Sequence, residues 1–350
     1  MKQKSFLSII TTMTVLLPAL AFDGCNKEDA GEVSAASAVE SADYDAALSA
    51  ADAIISASGG DKITCRTRGL ALLGKGDYAA AADAFIDALS FSNGIVTPAD
   101  IDISYYLAVA EYKNDDLEAA HSTIEAILAL KEDDDAAWFM LGKTDLAMGN
   151  RESALTDFDN TVSLAPTNYD RYVGIYEELH ARGYDEDAAS YLEKAMSAGN
   201  RLSDYNKGVL EYYLGSYTGA RNDLENAKKS GNNENLTLYL GRTYEALGDT
   251  GYAMSLYADY IRENPAAGRI YEQLATCRVS TGDYEGALET IETGLAAGQG
   301  EGAQGMMFDR VVAYERLYDF KSAAKYMEEY LEQYPDDEMA RRENVFLSSR

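Results

Sequence analysis

The sequence predicts an all-α protein, a solenoid of about nine helix-turn-helix repeats closed by a C-terminal capping helix. Three observations predict it. First, alanine returns at Ala47, Ala81, Ala120, Ala154, Ala188, Ala220, Ala253, Ala287 and Ala323, at intervals of 32 to 39 residues. Second, these alanines have a fixed setting. Four residues later stands a large apolar or aromatic residue in eight of the nine units, such as Phe85, Ile124, Phe158, Leu192, Tyr257 or Met327. Five residues earlier stands glycine in six of them: Gly76, Gly149, Gly183, Gly215, Gly248 and Gly282. Third, 28 Gly and 5 Pro in 350 residues are too few for a loop-rich β chain, while 47% hydrophobic and 25% charged residues suit a folded one.

Taken in order, the chain divides into a signal peptide (1–24), a tether (25–30), the repeats (31–335) and a terminal helix (336–350). Lys2 and Lys4 precede an apolar run from Phe6 to Phe22, the layout of a secretory signal. Ser8, Thr11, Thr12 and Thr14 make that run too polar for a membrane span, and it is short of the ~20 residues one needs. Two cleavage readings compete. Ala19-Leu20-Ala21 fits an ordinary signal peptidase site, which would release a secreted protein. Phe22-Asp23-Gly24-Cys25 resembles a bacterial lipobox, which ends in a small residue and the cysteine that receives lipid. Gly24 and Cys25 fit it; Asp23 and Phe22 depart from the usual small residue and leucine. The lone thiol directly after the apolar run, followed by the polar Asn26-Lys27-Glu28-Asp29, favours lipidation at Cys25. The implied location is extracytoplasmic, with the membrane reached through a lipid anchor only.

The unit around Ala154 explains the residue choices. A first helix, 136–148, ends at Gly149-Asn150, where glycine accepts the left-handed conformation. A second helix runs over about 152–163. Ala154 lets the two backbones approach, Phe158 fills the wider gap one turn on, and Pro166 stops the helix. Pro265 and Pro335 stand twelve residues after Ala253 and Ala323 in the same role. One such hairpin cannot bury both faces and must stack on neighbours.

This unit resembles the tetratricopeptide repeat. Trp138, Leu141, Gly142, Ala154, Phe158 and Pro166 match its W-x₂-L-G…A-x₃-F…P pattern. Asp145 departs from it where the family has tyrosine, and Tyr244 restores that tyrosine after Leu240-Gly241. The resemblance covers about residues 28–335 and implies a right-handed α-solenoid. It implies no particular ligand, because the same array serves unrelated binding roles.

Two intervals are irregular. The 39-residue one places extra residues near Asn93–Pro98, between repeats. The 36-residue one contains the Gly-rich stretch 298–305, which lacks the Lys-Ser/Thr end of a phosphate loop and reads as an inter-repeat turn. The last segment, 336–347, is polar apart from a Met339/Phe346 face, and reads as the helix that caps the stack.

Chemistry is scarce. With 30 Lys+Arg against 59 Asp+Glu, the formal charge of −29 excludes nucleic acid as a partner. No zinc-protease, hydrolase, P-loop or Rossmann motif occurs. His121 and His180 stand alone on helices. The run Glu132–Asp135 lacks the spacing and glycine of a calcium loop and reads as an acidic helix start. Cys65 and Cys277 sit in apolar helical contexts and are expected as buried free thiols. No enzyme, metal or cofactor is expected.

In the family, first helices line a concave surface that takes extended peptides or helices. Four first-helix positions in each of eight units give 32 sites. Six of them are aromatic (Tyr105, Tyr112, Phe139, Tyr205, Tyr212 and Phe308), about twice the chain's aromatic share of 10%. Tyr105/Tyr112 and Tyr205/Tyr212 pair at seven-residue spacing, two turns apart. Lys143, Arg242 and Arg269 add cationic points, and His180 a polar one. The expected partner is a protein or peptide in this groove. The chain is expected to be a monomer, because its acidic surface opposes self-association. Self-association into an envelope assembly, or service as accessory subunit of an envelope enzyme or transporter, are the alternatives.

Overall fold

The computed structural model describes residues 39, 43–197, 202–298, 302–335 and 337–348. The signal, Cys25 and the tether lie outside the described residues. Within them are 18 α-helices and no strand, and no helix is long and apolar enough to cross a membrane. The chain falls into two compact units, divided after Ile127. The first holds α1 (Tyr44–Ser58), α2 (Lys62–Gly74), α3 (Tyr78–Ser90), α4 (Pro98–Lys113) and most of α5 (Leu117–Leu130). The second holds α6 (Asp135–Ala147), α7 (Arg151–Leu164), α8 (Tyr169–His180), α9 (Asp185–Met196), α10 (Asp204–Tyr213), α11 (Tyr217–Lys228), α12 (Glu234–Ala246) and α13 (Thr250–Glu263). It ends with α14 (Gly268–Thr281), α15 (Tyr284–Ala297), α16 (Ala303–Arg316), α17 (Phe320–Gln333) and α18 (Glu338–Leu347). In each unit successive helices pack as hairpins, and successive hairpins stack, which is an α-solenoid arrangement.

The repeat register is physical. All nine anchor alanines are fully buried, and eight of them, Ala81 onward, sit on the second helix of a described hairpin. Twelve residues before several of them a first-helix glycine faces the large residue of the second helix. A Cβ on Gly69 would stand 2.5 Å from Phe85, on Gly142 2.6 Å from Phe158, and on Gly208 2.6 Å from Leu224. The anchor and this glycine are therefore the two small surfaces that let the hairpin close.

The turns obey the same logic. Gly76, Gly149, Gly183, Gly215, Gly248 and Gly282 all have φ between 74° and 86°. At the same register Asp115 and Tyr318 adopt that left-handed conformation without being glycine, at φ 62° and 61°. Just after this residue, aspartate begins many second helices. Asp77, Asp249, Asp283 and Asp319 each accept a hydrogen bond from the backbone three residues on. The acidic start foreseen before Trp138 has the same cause, since Asp134 caps α6 through the amides of Ala136 and Ala137.

Two local expectations change, and a third gains detail. The Gly-rich stretch is not wholly a turn, because Ala303, Gln304 and Gly305 form the first turn of α16. There Gly305 lies against the Glu272 side chain, whose carboxylate would have to move to admit a Cβ. The extra residues before α4 end in a capping box, with Thr97 and Asp100 exchanging hydrogen bonds around Pro98. The terminal helix does not seat Met339 and Phe346. Its inward residues are Ala340 and Leu347, packed with Met327 and Tyr330, while Met339 is 53% and Phe346 40% exposed. Cys65 and Cys277 are buried free thiols.

Candidate functional site

The second unit gathers aromatic side chains along consecutive first helices. Tyr176 and His180 project from α8, Tyr205, Tyr212 and Tyr213 from α10, and Tyr239 from α12. Rings run in unbroken contact across them: Tyr176–Tyr213 at 5.3 Å, Tyr212–Tyr213 at 5.4 Å, Tyr212–Tyr239 at 5.9 Å and Tyr205–Tyr239 at 6.4 Å. Tyr239 thus bridges the Tyr205/Tyr212 pair. His180 stacks on Tyr176 at 5.3 Å, with Nδ1 2.6 Å from Asp185.

Glu177 of α8 lies at the centre. The Tyr213 hydroxyl donates to its Oε1 at 2.5 Å and lies 3.2 Å from the Tyr239 hydroxyl. Burial pushes the Glu177 carboxyl up, against the Tyr213 hydrogen bond and the nearby charges of Arg242 and Lys143, which hold it down. Burial also raises the hydroxyls of Tyr205, Tyr212, Tyr213 and Tyr239 above the ordinary tyrosine value. The rings are therefore neutral donors and acceptors in a desolvated setting.

The basic residues foreseen as ligand contacts all have partners within the chain. Lys143 pairs with Glu178 at 2.7 Å, with both side chains almost buried, and Arg182 reaches the same carboxylate at 2.8 Å. Arg242 donates to Gln273 at 3.1 Å, and Arg269 to Asn235 at 2.8 Å. The structure brings Lys143, His180, Tyr205, Tyr212, Arg242 and Arg269 into one neighbourhood around Glu177. Phe139 packs beneath it, on Phe158 at 5.9 Å and against Gly174, with the Arg171 guanidinium over its ring. Tyr105 and Tyr112 are half-buried on α4, in the other unit.

Tyr176, Tyr213, Tyr239 and Glu177's hydrogen-bonded role were not read from the sequence as a cluster. Tyr213 adjoins the selected Tyr212, and the adjacent pair Tyr212-Tyr213 was the available signal. Further along the same face, Glu272 and Asp309 are both pushed up to about 6 by burial, with Thr276 donating to Asp309 at 2.7 Å. A cleft of about 500 Å³ lies elsewhere, lined by Lys228, Asn232, Asp259 and Arg262 among others, and touches none of the clustered tyrosines. Among the described residues no group of His, Cys, Asp and Glu has the arrangement of a metal site.

Family models described as tetratricopeptide repeat match residues 66–137 and 272–338, and a second such model matches 236–267. Over these residues the chain is built of tetratricopeptide repeats. An array of these repeats is a scaffold suited to protein interaction. Among solved structures, the chain is similar to a tetratricopeptide repeat protein from Parabacteroides merdae, at 14% identity over 83% of this chain and 99% of that one, with a TM-score of 0.48. It is also similar to MamA, at 20% identity over 49% of this chain and 95% of that one, with a TM-score of 0.41. No curated protein matches it.

Proposed function

We propose that this repeat protein is a non-enzymatic, extracytoplasmic receptor for a protein or peptide segment, held to a bacterial membrane by lipid on Cys25. The observation that carries the binding reading is the tyrosine face around Glu177. Rings supply apolar area at low entropic cost, and hydroxyls and a desolvated carboxyl supply hydrogen-bonding groups, a combination that recognises an extended segment. The charged groups nearby are paired internally, so they position this face and leave recognition to rings and hydroxyls. The anchor reading rests on Cys25 and the run before it.

Selection from a random-peptide library on the full chain tests the binding. Enriched peptides should lose at least ~10-fold in affinity on Tyr212→Ala or Tyr205→Ala, as for an aromatic hot spot. Selected peptides that bind both variants as they bind the wild type would place recognition elsewhere. For the anchor, labelled fatty acid should enter the wild type and not Cys25→Ser. A mature N-terminus at Phe22 would disprove lipidation.

A further inference from the structure

The last helix, α18, follows the last hairpin and has a thin seat. Its buried residues are Ala340 and Leu347, packed with Met327 and Tyr330 of α17. Asp337, at its start, accepts from the Tyr330 hydroxyl at 2.7 Å. Glu343 stands one turn from each of Ala340 and Leu347, on the same inward face, and is half-buried. Ten residues are too few to hold a helix alone in water, so α18 keeps its fold only while it is seated.

What Glu343 meets is another carboxyl group, that of Glu315 on α16. One Glu315 oxygen, Oε1, is buried and meets no donor among the described residues. The equivalent carboxylate two repeats earlier is served differently. Glu245 and Glu315 each stand eight residues before an anchor alanine, Ala253 and Ala323. Glu245 accepts from Tyr257, four residues past its anchor, at 2.6 Å, and from Gln273, 28 residues on, at 3.3 Å. The corresponding residues for Glu315 are Met327, which has no donor, and Glu343, itself a carboxyl group. Both donors are missing where the terminal helix seats.

No cation replaces them. Arg316, exposed on α16, is the one cation that bears on Glu315. Arg278 of α14 turns to Asp283 and to the Gly286 carbonyl, and Glu292 of α15 bears on Tyr314. On α17, Asp319 caps its own helix beside Lys321, Glu329 takes Lys325 and Arg310, and Glu328 and Glu332 are exposed. On α18, Arg341 and Arg342 are exposed, the second paired with Glu338.

We propose that the Glu315–Glu343 pair makes α18 a pH-controlled cap, which seats on the last hairpin while the two carboxyls share a proton and comes away when both are ionised. The shared proton supplies the donor that the site lacks, as a short O–H···O⁻ bond. Without it, two like charges face each other in a desolvated setting. Release uncovers Met327 and Tyr330, the apolar end of the stack. Burial, then Glu343, push the Glu315 carboxyl up to about 7, against Arg316. That value lies above the 4.5 of an ordinary glutamate. Support for the seat is therefore full below about pH 4.5 and fades as pH rises through about 7. This goes beyond peptide binding at the tyrosine face and does not depend on it.

Amide exchange of the full chain, expressed as protection relative to the intrinsic rate at each pH, is the test. In the wild type, protection of α18 should fall at least ~10-fold between about pH 5 and about pH 8, within the ~10-fold per pH unit that one proton allows. Protection of α6 and α7 should hold. Glu343→Gln places against Glu315 the amide that Gln273 offers Glu245, and should keep α18 protected across the range. Glu315→Gln should do the same from the other side. A wild-type α18 equally protected at both pH values, a fall shared by α6 and α7, or a Glu343→Gln protein that loses protection as the wild type does would each overturn the proposal.

Discussion

Replacing Gly241 by alanine should destabilise the second unit, although alanine is the better helix former. Gly241 lies in α12 opposite Tyr257 of α13. A Cβ there would stand 2.2 Å from Cζ, 2.3 Å from Cε1 and 2.4 Å from the hydroxyl oxygen of that ring. The ring has no room to retreat: it is fully buried, and its hydroxyl donates to Glu245 at 2.6 Å, a carboxylate that Gln273 also holds. Helix propensity offers about 1 kcal/mol in favour of alanine. Overpacking costs about 1–3 kcal/mol, and loss of a hydrogen bond to a charged group about 1.5–3 kcal/mol. The net expectation is a loss of about 2–4 kcal/mol. Gly251→Ala in α13 provides the contrast, since nothing lies within 4 Å of its would-be Cβ; it should gain up to about 1 kcal/mol. Urea unfolding followed by circular dichroism, with amide exchange read across α12 and α13, measures both. Adding Tyr257→Leu to Gly241→Ala should recover part of the loss by removing the ring edge. A Gly241→Ala protein as stable as the wild type would refute the claim that hairpin closure is set by this glycine.

Three further outcomes follow from the geometry. Tyr213→Phe should cost about 2 kcal/mol, because it leaves the half-buried Glu177 without its hydroxyl donor; unchanged urea unfolding would show that Glu177 is satisfied another way. Asp309 has its folded pKa pushed up to about 6 by burial, above the 3.8 of an ordinary aspartate, so its contribution is full below about pH 4 and fades as pH rises through about 6. Asp309→Asn should therefore gain stability over the wild type as pH rises across that window, and a difference that stays constant from pH 4 to 7 would contradict the assignment. Asp115→Gly should raise the unfolding midpoint of the first unit slightly, because it relieves the left-handed backbone at φ 62°; a lowered midpoint would mean the aspartate side chain compensates.

The repeats were legible because their determinants are local and recur. The alanine anchor, the turn glycine and the large residue one turn on each have a single steric job, and each recurs near every 34 residues. The helix ends near Gly149 fall within one residue of the expected positions. Legibility fails where a residue's role is set by a neighbour far along the chain. The seat of α18 is one case: Met339/Phe346 and Ala340/Leu347 are both apolar pairs seven apart, and only the packing on α17 selects the second. The tyrosine cluster is another. First-helix spacing marks Tyr205 and Tyr212, but nothing local tells that Tyr239 of the next repeat falls between them, or that Tyr213 turns to Glu177 of the preceding one. Lys143 reads as an open cation by position, yet Glu178 of the following repeat takes it.

The same cross-repeat pairing explains how so acidic a chain folds. Basic residues are few, and many are taken up in ion pairs one repeat apart: Arg66 with Asp102, Arg171 with Asp135, Lys143 with Glu178, Lys194 with Asp159. Each exposed pair adds at most about 1 kcal/mol, but the series fixes the register of neighbouring hairpins. Carboxylates turn to tyrosine as well. Tyr191 donates to Asp159, Tyr213 to Glu177, Tyr244 to Glu225, Tyr257 to Glu245 and Tyr330 to Asp337, at 2.5 to 3.1 Å. Burial raises all five hydroxyls, which keeps them protonated and able to donate. The abundance of tyrosine thus has a structural cause before it has a functional one. A tyrosine whose hydroxyl already serves an internal carboxylate offers a ligand only its ring, whereas Tyr212, set among the rings of Tyr213, Tyr217 and Tyr239, is held by faces and edges. That difference is why Tyr212, rather than Tyr213, is the residue on which ligand affinity should turn.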